Sequence, residues 1–199
     1  ALRRAVCDYL ARRRGVQALP EDVLVVAGTQ QAMSLSARVL LDVGDGAVVE
    51  EPHYTAMREV LQMHGARVDT VDVDAQGLRV ARLPDPPPRL IYVTPSHQFP
   101  TGVAMSLERR RALLDYASRH DCWVFEDDYD GEFRYDARPL AALRSLDRSG
   151  HVIYVGSFSK VLFPSLRLGY LVIPPGLRED YVNAKWQDDF GSSAIEQAA

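Results

Sequence analysis

Cysteine is nearly missing from this chain. Cys7 and Cys122 stand far apart, in none of the spacings that hold zinc or mark a dithiol redox pair, and two such residues supply no disulfide framework. A reducing, cytoplasmic compartment is therefore the expectation. Long apolar runs are missing too: none approaches the about 20 residues needed to cross a bilayer, so no membrane partner is expected. Positive charge is not in excess, with 27 acidic against 23 basic residues and a net charge of −4. That balance is the reverse of a nucleic-acid footprint. The basic stretch RRAVCDYLARRRG at residues 3–15 has apolar Leu2, Val6, Tyr9 and Leu10 at helical spacing, so its arginines read as the solvated face of an amphipathic helix. The dinucleotide pattern G-x-G-x-x-G and the P-loop G-x-x-x-x-G-K-[ST] do not occur.

What is present is a regular alternation. Short apolar runs at 22–28, 46–52, 66–74, 90–96, 122–130, 151–160 and 166–175 are interleaved with helical patterns such as TQQAMSLSARVLLD, HYTAMREVLQMHG and SLERRRALLDYASRHD. Near-continuous apolar strands between helices predict an α/β fold of three layers, αβα, around a mainly parallel seven-stranded sheet. With 47% apolar residues in 199, there is ample core material. Helix-like sequence runs into both termini, so the chain is expected to be part of something longer.

In such sheets ligands collect at the carboxyl ends of the strands, and the polar clusters there carry the chemistry: GTQQ (28–31), EPHY (51–54), TPSHQFPTG (94–102), EDDYD (126–130) and SFSK (157–160). GTQQ places a glycine turn before a helix whose first amides form a phosphate seat. EDDYDG resembles a calcium loop with Glu126, Asp128 and Asp130 at alternate positions, but Ala137 stands where the bidentate glutamate is required. No metal is expected. Ser157 and Lys160 match S-x-x-K, yet the accompanying S-D-N and K-T-G are missing. Taken together, a phosphate seat, an inward acid, a stacking aromatic and a lysine at one sheet edge suit pyridoxal 5'-phosphate. Its aldehyde takes a neutral lysine amine, so the amine must fall from its usual pKa of about 10.4, and an acid keeps its ring nitrogen protonated.

The stretches GTQQAMSLSARVLLDVGD, VTPSHQFPTGVAMSLERRRALLDYA, EDDYDGEFRY and GSFSKVLFPSLRLGYLV resemble fold-type I pyridoxal-phosphate enzymes of the aminotransferase class. More narrowly, they resemble the aminotransferase-like domain of MocR/GabR-type regulators of the GntR family. The resemblance implies that Lys160 forms a Schiff base with the cofactor, that Asp127 pairs with the ring nitrogen, and that Tyr129 bonds the ring's phenolic oxygen. It implies that Tyr54 stacks on the ring, that Gly28, Thr29, Gln30, Ser157, Ser159 and Arg167 surround the phosphate, and that His97 supports the site from nearby. Many aminotransferases carry Asn directly before Pro-Thr-Gly; here Phe99 stands there, a substitution that the regulator-type relatives share.

Residues 1–199 would then be a cofactor-binding large domain, with a winged helix-turn-helix before it and a small C-terminal domain after it, both outside this chain. The resemblance also implies a homodimer, DNA contact only through the absent domain, and a small amino compound as effector. Such a compound would be sensed by exchanging with Lys160 for the cofactor. A free-standing aminotransferase acting on an amino acid and a 2-oxo acid is the alternative; a sugar or lipid pathway enzyme of the same fold fits less well.

Overall fold

All seven apolar runs form strands; in all but the run at 66–74, β-branched and aromatic side chains fill both faces of a covered sheet. The computed structural model describes residues 1–131, 141–158, 167–192 and 197. Within them the strands are Val23–Val26 (β1), Gly46–Glu51 (β2), Arg67–Asp74 (β3), Gly77–Leu78 (β4), Leu90–Val93 (β5), Trp123–Asp128 (β6), Val152–Ser157 (β7) and Gly169–Val172 (β8). They lie in the order β1-β8-β7-β6-β5-β2-β3-β4. Strand β4 is an eighth, beyond the seven expected, and folds back antiparallel on β3.

Strands β2, β3, β5, β6 and β7 are mutually parallel. Strand β8 runs antiparallel to both β7 and β1. Only residues 158–168 join β7 to β8, fewer than the dozen or more that a parallel crossover requires, so the chain turns back on itself. Strand β3 buries only Val71 well and exposes Arg67, Asp69, Asp72 and Asp74, charges that discourage another strand from pairing along the part of β3 that the short β4 leaves open.

Helices cover both faces. Thr29–Leu40 (α2), Thr55–Met63 (α3) and Arg178–Asp189 (α6) pack Met33, Leu35, Met57, Leu61 and Tyr181 onto Val49, Phe125 and Val155. On the opposite face, Leu107–His120 (α4) and Leu143–Leu146 (α5) bring Leu113 and Leu143 onto Val48, Val124 and Val152. Leu2–Arg13 (α1) covers the rest of that face with Val6 and Leu10 on Val23, Tyr154 and Val172. Each fully buried aliphatic side chain of this kind contributes about 1.5–3 kcal/mol. Helix α4 starts as its sequence suggests, the Ser106 hydroxyl accepting from the Arg109 amide at 3.2 Å. Gly65, at φ +86°, ends the turn after α3. Helix α6 was not read from the sequence, because Val182 and Trp186 are exposed while Lys185 is buried, which blurs its apolar periodicity.

The basic stretch divides. Arg3, Arg4, Arg12 and Arg13 are exposed as expected, but Arg14 is only 1% exposed, a correction to the solvated-face reading. Helix α1 ends at Arg13, so the next side chain turns under the sheet. There Nη2 of Arg14 donates to Asp128 Oδ1 and Ser96 Oγ, each at 2.7 Å, and Nε lies 2.7 Å from Asp128 Oδ2. The Tyr154 hydroxyl also donates to Asp128, at 2.5 Å.

Removing one partner of a buried pair strands the other as an uncompensated charge. Arg14→Ala is expected to destabilise the chain by about 3–5 kcal/mol, and adding Asp128→Asn to recover part of the loss, read from chemical-denaturation midpoints.

Candidate functional site

The carboxyl ends of β1, β2, β5, β6 and β7 surround a cavity of about 330 Å³. Gly28, Thr29 and Gln30 line it from the β1–α2 turn, Tyr54 and Met57 from the start of α3, and Tyr92 from β5. Phe99, Asp127, Tyr129, Ser157 and Arg167 complete its lining among the described residues. Lys160 and Ser159 lie outside the described residues. His97 is placed differently from the rest: it is exposed, and its ring lies beside Tyr129, with centroids 6.1 Å apart. The Tyr129 hydroxyl stands 3.2 Å from His97 Nδ1, and Asp130 pairs with the same nitrogen.

One end of the cavity is built for an anion. Gly28 caps α2 with φ +115°, a conformation that glycine adopts without penalty. The first amides of a twelve-residue helix open here, carrying the positive end of its dipole. The guanidinium of Arg167 stands over this turn: a Cβ placed on Gly28 would lie 3.5 Å from its Nη2. Arg167 itself has φ +47°, a strained conformation for a side-chain-bearing residue that costs about 1–3 kcal/mol and that this position tolerates. Ser157, at the end of β7, is buried beside it. Close packing brings these strand ends together, since a Cβ on Gly156 would lie 2.4 Å from the Tyr170 ring.

At the other end is Asp127. Alternation along β6 sends the three consecutive acids in different directions. Glu126 accepts from the Leu143 and Arg144 amides, both at 2.7 Å, at the start of α5. Asp128 meets Arg14. Asp127 alone of the three reaches the cavity. With Asp130 on His97, the residues of the calcium-like pattern diverge, and no group of three metal-ligating side chains converges among the described residues.

The Tyr92 hydroxyl donates to Asp127 Oδ2 at 2.8 Å, whereas Oδ1 is buried without a partner among the described residues. Burial, reinforced by the charges of Asp128, Asp130 and Glu50, pushes the Asp127 carboxyl up to about 7. An acid left this way is completed by a cationic N–H donor, which would satisfy Oδ1 and hold the group ionised. A protonated ring nitrogen supplies that donor. The phenol of Tyr129 is also raised, by burial first and then by Asp130, so it stays protonated and able to donate. Anion seat, acid and phenol thus fit pyridoxal 5'-phosphate. Tyr92 and Met57 escaped the sequence reading; the one signal was a hydroxyl-bearing residue in the otherwise apolar run LIYV, next to the acid strand.

Together, the doubly covered, mostly parallel sheet and its strand-end cleft define a fold-type I transferase domain. The chain belongs to the aminotransferase class I and II family, whose model matches residues 1–198, a family generally dependent on pyridoxal phosphate. It is 44% identical over 198 residues to the probable rhizopine catabolism regulatory protein MocR of Rhizobium meliloti, covering 100% of this chain and 40% of that protein. It is 46% identical over 169 residues to the HTH-type transcriptional regulator TauR of Rhodobacter capsulatus, covering 85% of this chain and 35% of that one. The chain therefore spans well under half the length of these curated relatives. A solved kynurenine aminotransferase of Pyrococcus horikoshii, in complex with PMP, superposes with a TM-score of 0.91 at 34% identity, covering 98% of this chain and 50% of that one.

The raised Asp127 carboxyl has a consequence for stability. An unfolded aspartate titrates near about 3.9, so the folded ligand-free chain binds this proton more tightly. The stabilisation is complete below that value and is lost as pH rises through about 7. Asp127→Asn removes this group's share of the dependence, leaving that of Glu50 and Glu126, whose carboxyls burial also raises. Relative to the parent chain, the variant is expected to gain about 2–3 kcal/mol between pH 5 and pH 8, measured by denaturation without cofactor.

Proposed function

We propose that this chain is the pyridoxal-phosphate-binding effector domain of a MocR/GabR-type transcriptional regulator, and that it senses a small amino compound. The observation that carries the cofactor assignment is the buried Oδ1 of Asp127, unpartnered among the described residues, in one cavity with the α2 anion seat. The regulator assignment is supported by the likeness to MocR and TauR. In this reading residues 1–199 form the large domain. DNA is contacted by a helix-turn-helix outside this chain, the protein is a cytoplasmic homodimer, and further site groups come from a C-terminal domain and the second protomer. No described helix is long and apolar enough to cross a membrane.

When bound, the cofactor supplies an electron-accepting ring and an aldehyde that takes up amines. Each residue's part follows from its chemistry. Asp127 keeps the ring nitrogen protonated, and Tyr92 holds Asp127 in place through its hydroxyl. Tyr129 donates to the ring's phenolic oxygen. Thr29, the Gln30 amide, Ser157 and Arg167 balance the phosphate dianion, the arginine by charge-assisted hydrogen bonds. Tyr54, 44% exposed at the cavity mouth, covers the ring face and keeps water from it. Phe99 stands edge-on to both Tyr54 and Tyr129, with centroids 5.7 and 6.2 Å away, so an apolar edge occupies the place from which Asn serves many aminotransferases. Lys160 is the covalent attachment point, and His97 with Asp130 steadies Tyr129 from behind.

A free-standing aminotransferase is the second reading, favoured by the likeness to the kynurenine aminotransferase. Adding pyridoxal 5'-phosphate to the full-length protein is expected to produce a visible absorbance band that Lys160→Ala lacks. Arg167→Ala should weaken cofactor binding about tenfold, a loss of about 1.4 kcal/mol. Spectral change on adding amino compounds, without repeated release of 2-oxo acid, identifies a sensor. Rapid multiple turnover identifies the enzyme, and no band in the parent protein overturns both.

A further inference from the structure

Behind the cavity lies another buried acid, whose one part in the site so far is the charge it adds near Asp127. Glu50, near the end of β2, is 1% exposed and does not line the cavity. Its Oε2 accepts from both the amide and the hydroxyl of Thr94, at 3.0 and 2.7 Å, with Gln98 Nε2 at 3.4 Å. These two residues are the framework of the turn that carries Phe99. The Thr94 hydroxyl that donates to Glu50 also accepts from the Phe99 amide, at 3.1 Å. Gln98, itself 1% exposed, donates to the carbonyls of Pro52 and Phe99, each at 2.7 Å. Its Oε1 accepts from the Thr101 hydroxyl at 2.6 Å. Pro52 begins the short connection leading to Tyr54.

Two loops that share no backbone ladder at this point, 52–54 and 94–103, are therefore tied through one carboxylate and one carboxamide. The aromatic residues they deliver, Tyr54 and Phe99, meet edge-on at the cavity mouth. We propose that Glu50 is a positioning residue: through Thr94 and Gln98 it sets the separation of Tyr54 and Phe99, and so the tightness with which the cleft closes on the cofactor ring. The inference rests on the cofactor reading above. A hydrogen-bond acceptor at this position is what the arrangement needs. Glutamine offers one of the same shape and alanine offers none, so the two substitutions separate acceptor from mere bulk.

The test uses the full-length protein, with Glu50→Gln, Glu50→Ala and Thr94→Val. Hydrogen–deuterium exchange of the cofactor-free protein reads the turn directly, and pyridoxal 5'-phosphate titration followed by induced circular dichroism reads the cleft. Glu50→Ala is expected to speed exchange at the Thr94 and Phe99 amides at least tenfold, to weaken cofactor binding about tenfold, and to diminish the dichroic band. Glu50→Gln should stay within threefold of the parent in each. Should Glu50→Ala fail to fold, Thr94→Val, which removes only the relaying hydroxyl, is expected to speed exchange at Phe99 and weaken binding in the same direction. The proposal is overturned if Glu50→Ala, or Thr94→Val in its place, matches the parent, or if Glu50→Gln is as impaired as Glu50→Ala. A parent protein that binds no cofactor defeats the functional reading instead, while the exchange rates still decide whether Glu50 orders the turn.

Discussion

A carboxylate buried with one oxygen held and the other unpartnered is the constraint from which the site follows. Tyr92 fixes Asp127 Oδ2 from the neighbouring strand, and Oδ1 has no partner among the described residues. Burying a polar atom unpaired costs about 1–3 kcal/mol, a cost that a bound cation can refund. The sheet is what makes the arrangement rigid. Parallel pairing of β5 with β6 sets Tyr92 opposite Phe125, two residues before Asp127, so the hydroxyl and the acid are held by backbone register rather than by a loop.

The two ends of the cavity act by different means. At the anion seat, attraction is spread over helix amides, a serine and an arginine, none of which needs to be deeply buried. At the acid, a single group is made responsive by burial. Such a division suits a ligand with a permanently anionic tail and a basic ring nitrogen. It also explains why the backbone, through Gly28, Gly156 and the positive φ of Arg167, is most constrained at the tail end, where atoms must crowd together.

Much of this was legible in the residues. Apolar runs gave the strands, clusters at their carboxyl ends held Gly28, Thr29, Gln30, Tyr54, Asp127, Tyr129 and Ser157, and the family resemblance singled these out and added Arg167; all line the cavity. What was hidden depends on direction. Arg14 sits in a basic stretch whose other exposed arginines look identical in sequence, and only the end of α1 one residue earlier turns it inward. Tyr92 and Glu50 lie in or beside apolar strands, where nothing local tells a hydrogen-bonding partner from a filler. Helix α6 went unread because its apolar residues lie on both its buried and its exposed sides, and the antiparallel sense of β8 because a pattern of apolar residues does not encode strand polarity.

Glu126, Asp127 and Asp128 each find a different partner on alternating sides of β6. A strand has a two-residue period, so sliding β6 by one position against its neighbours would carry each acid into the site of the next. In one direction Arg14 would lose its acid and Glu126 would take the place of Phe125 in packed hydrocarbon; in the other the amides of α5 would face Phe125. Three adjacent carboxyl groups, which look like a liability inside a sheet, therefore help to fix the alignment of the central strand.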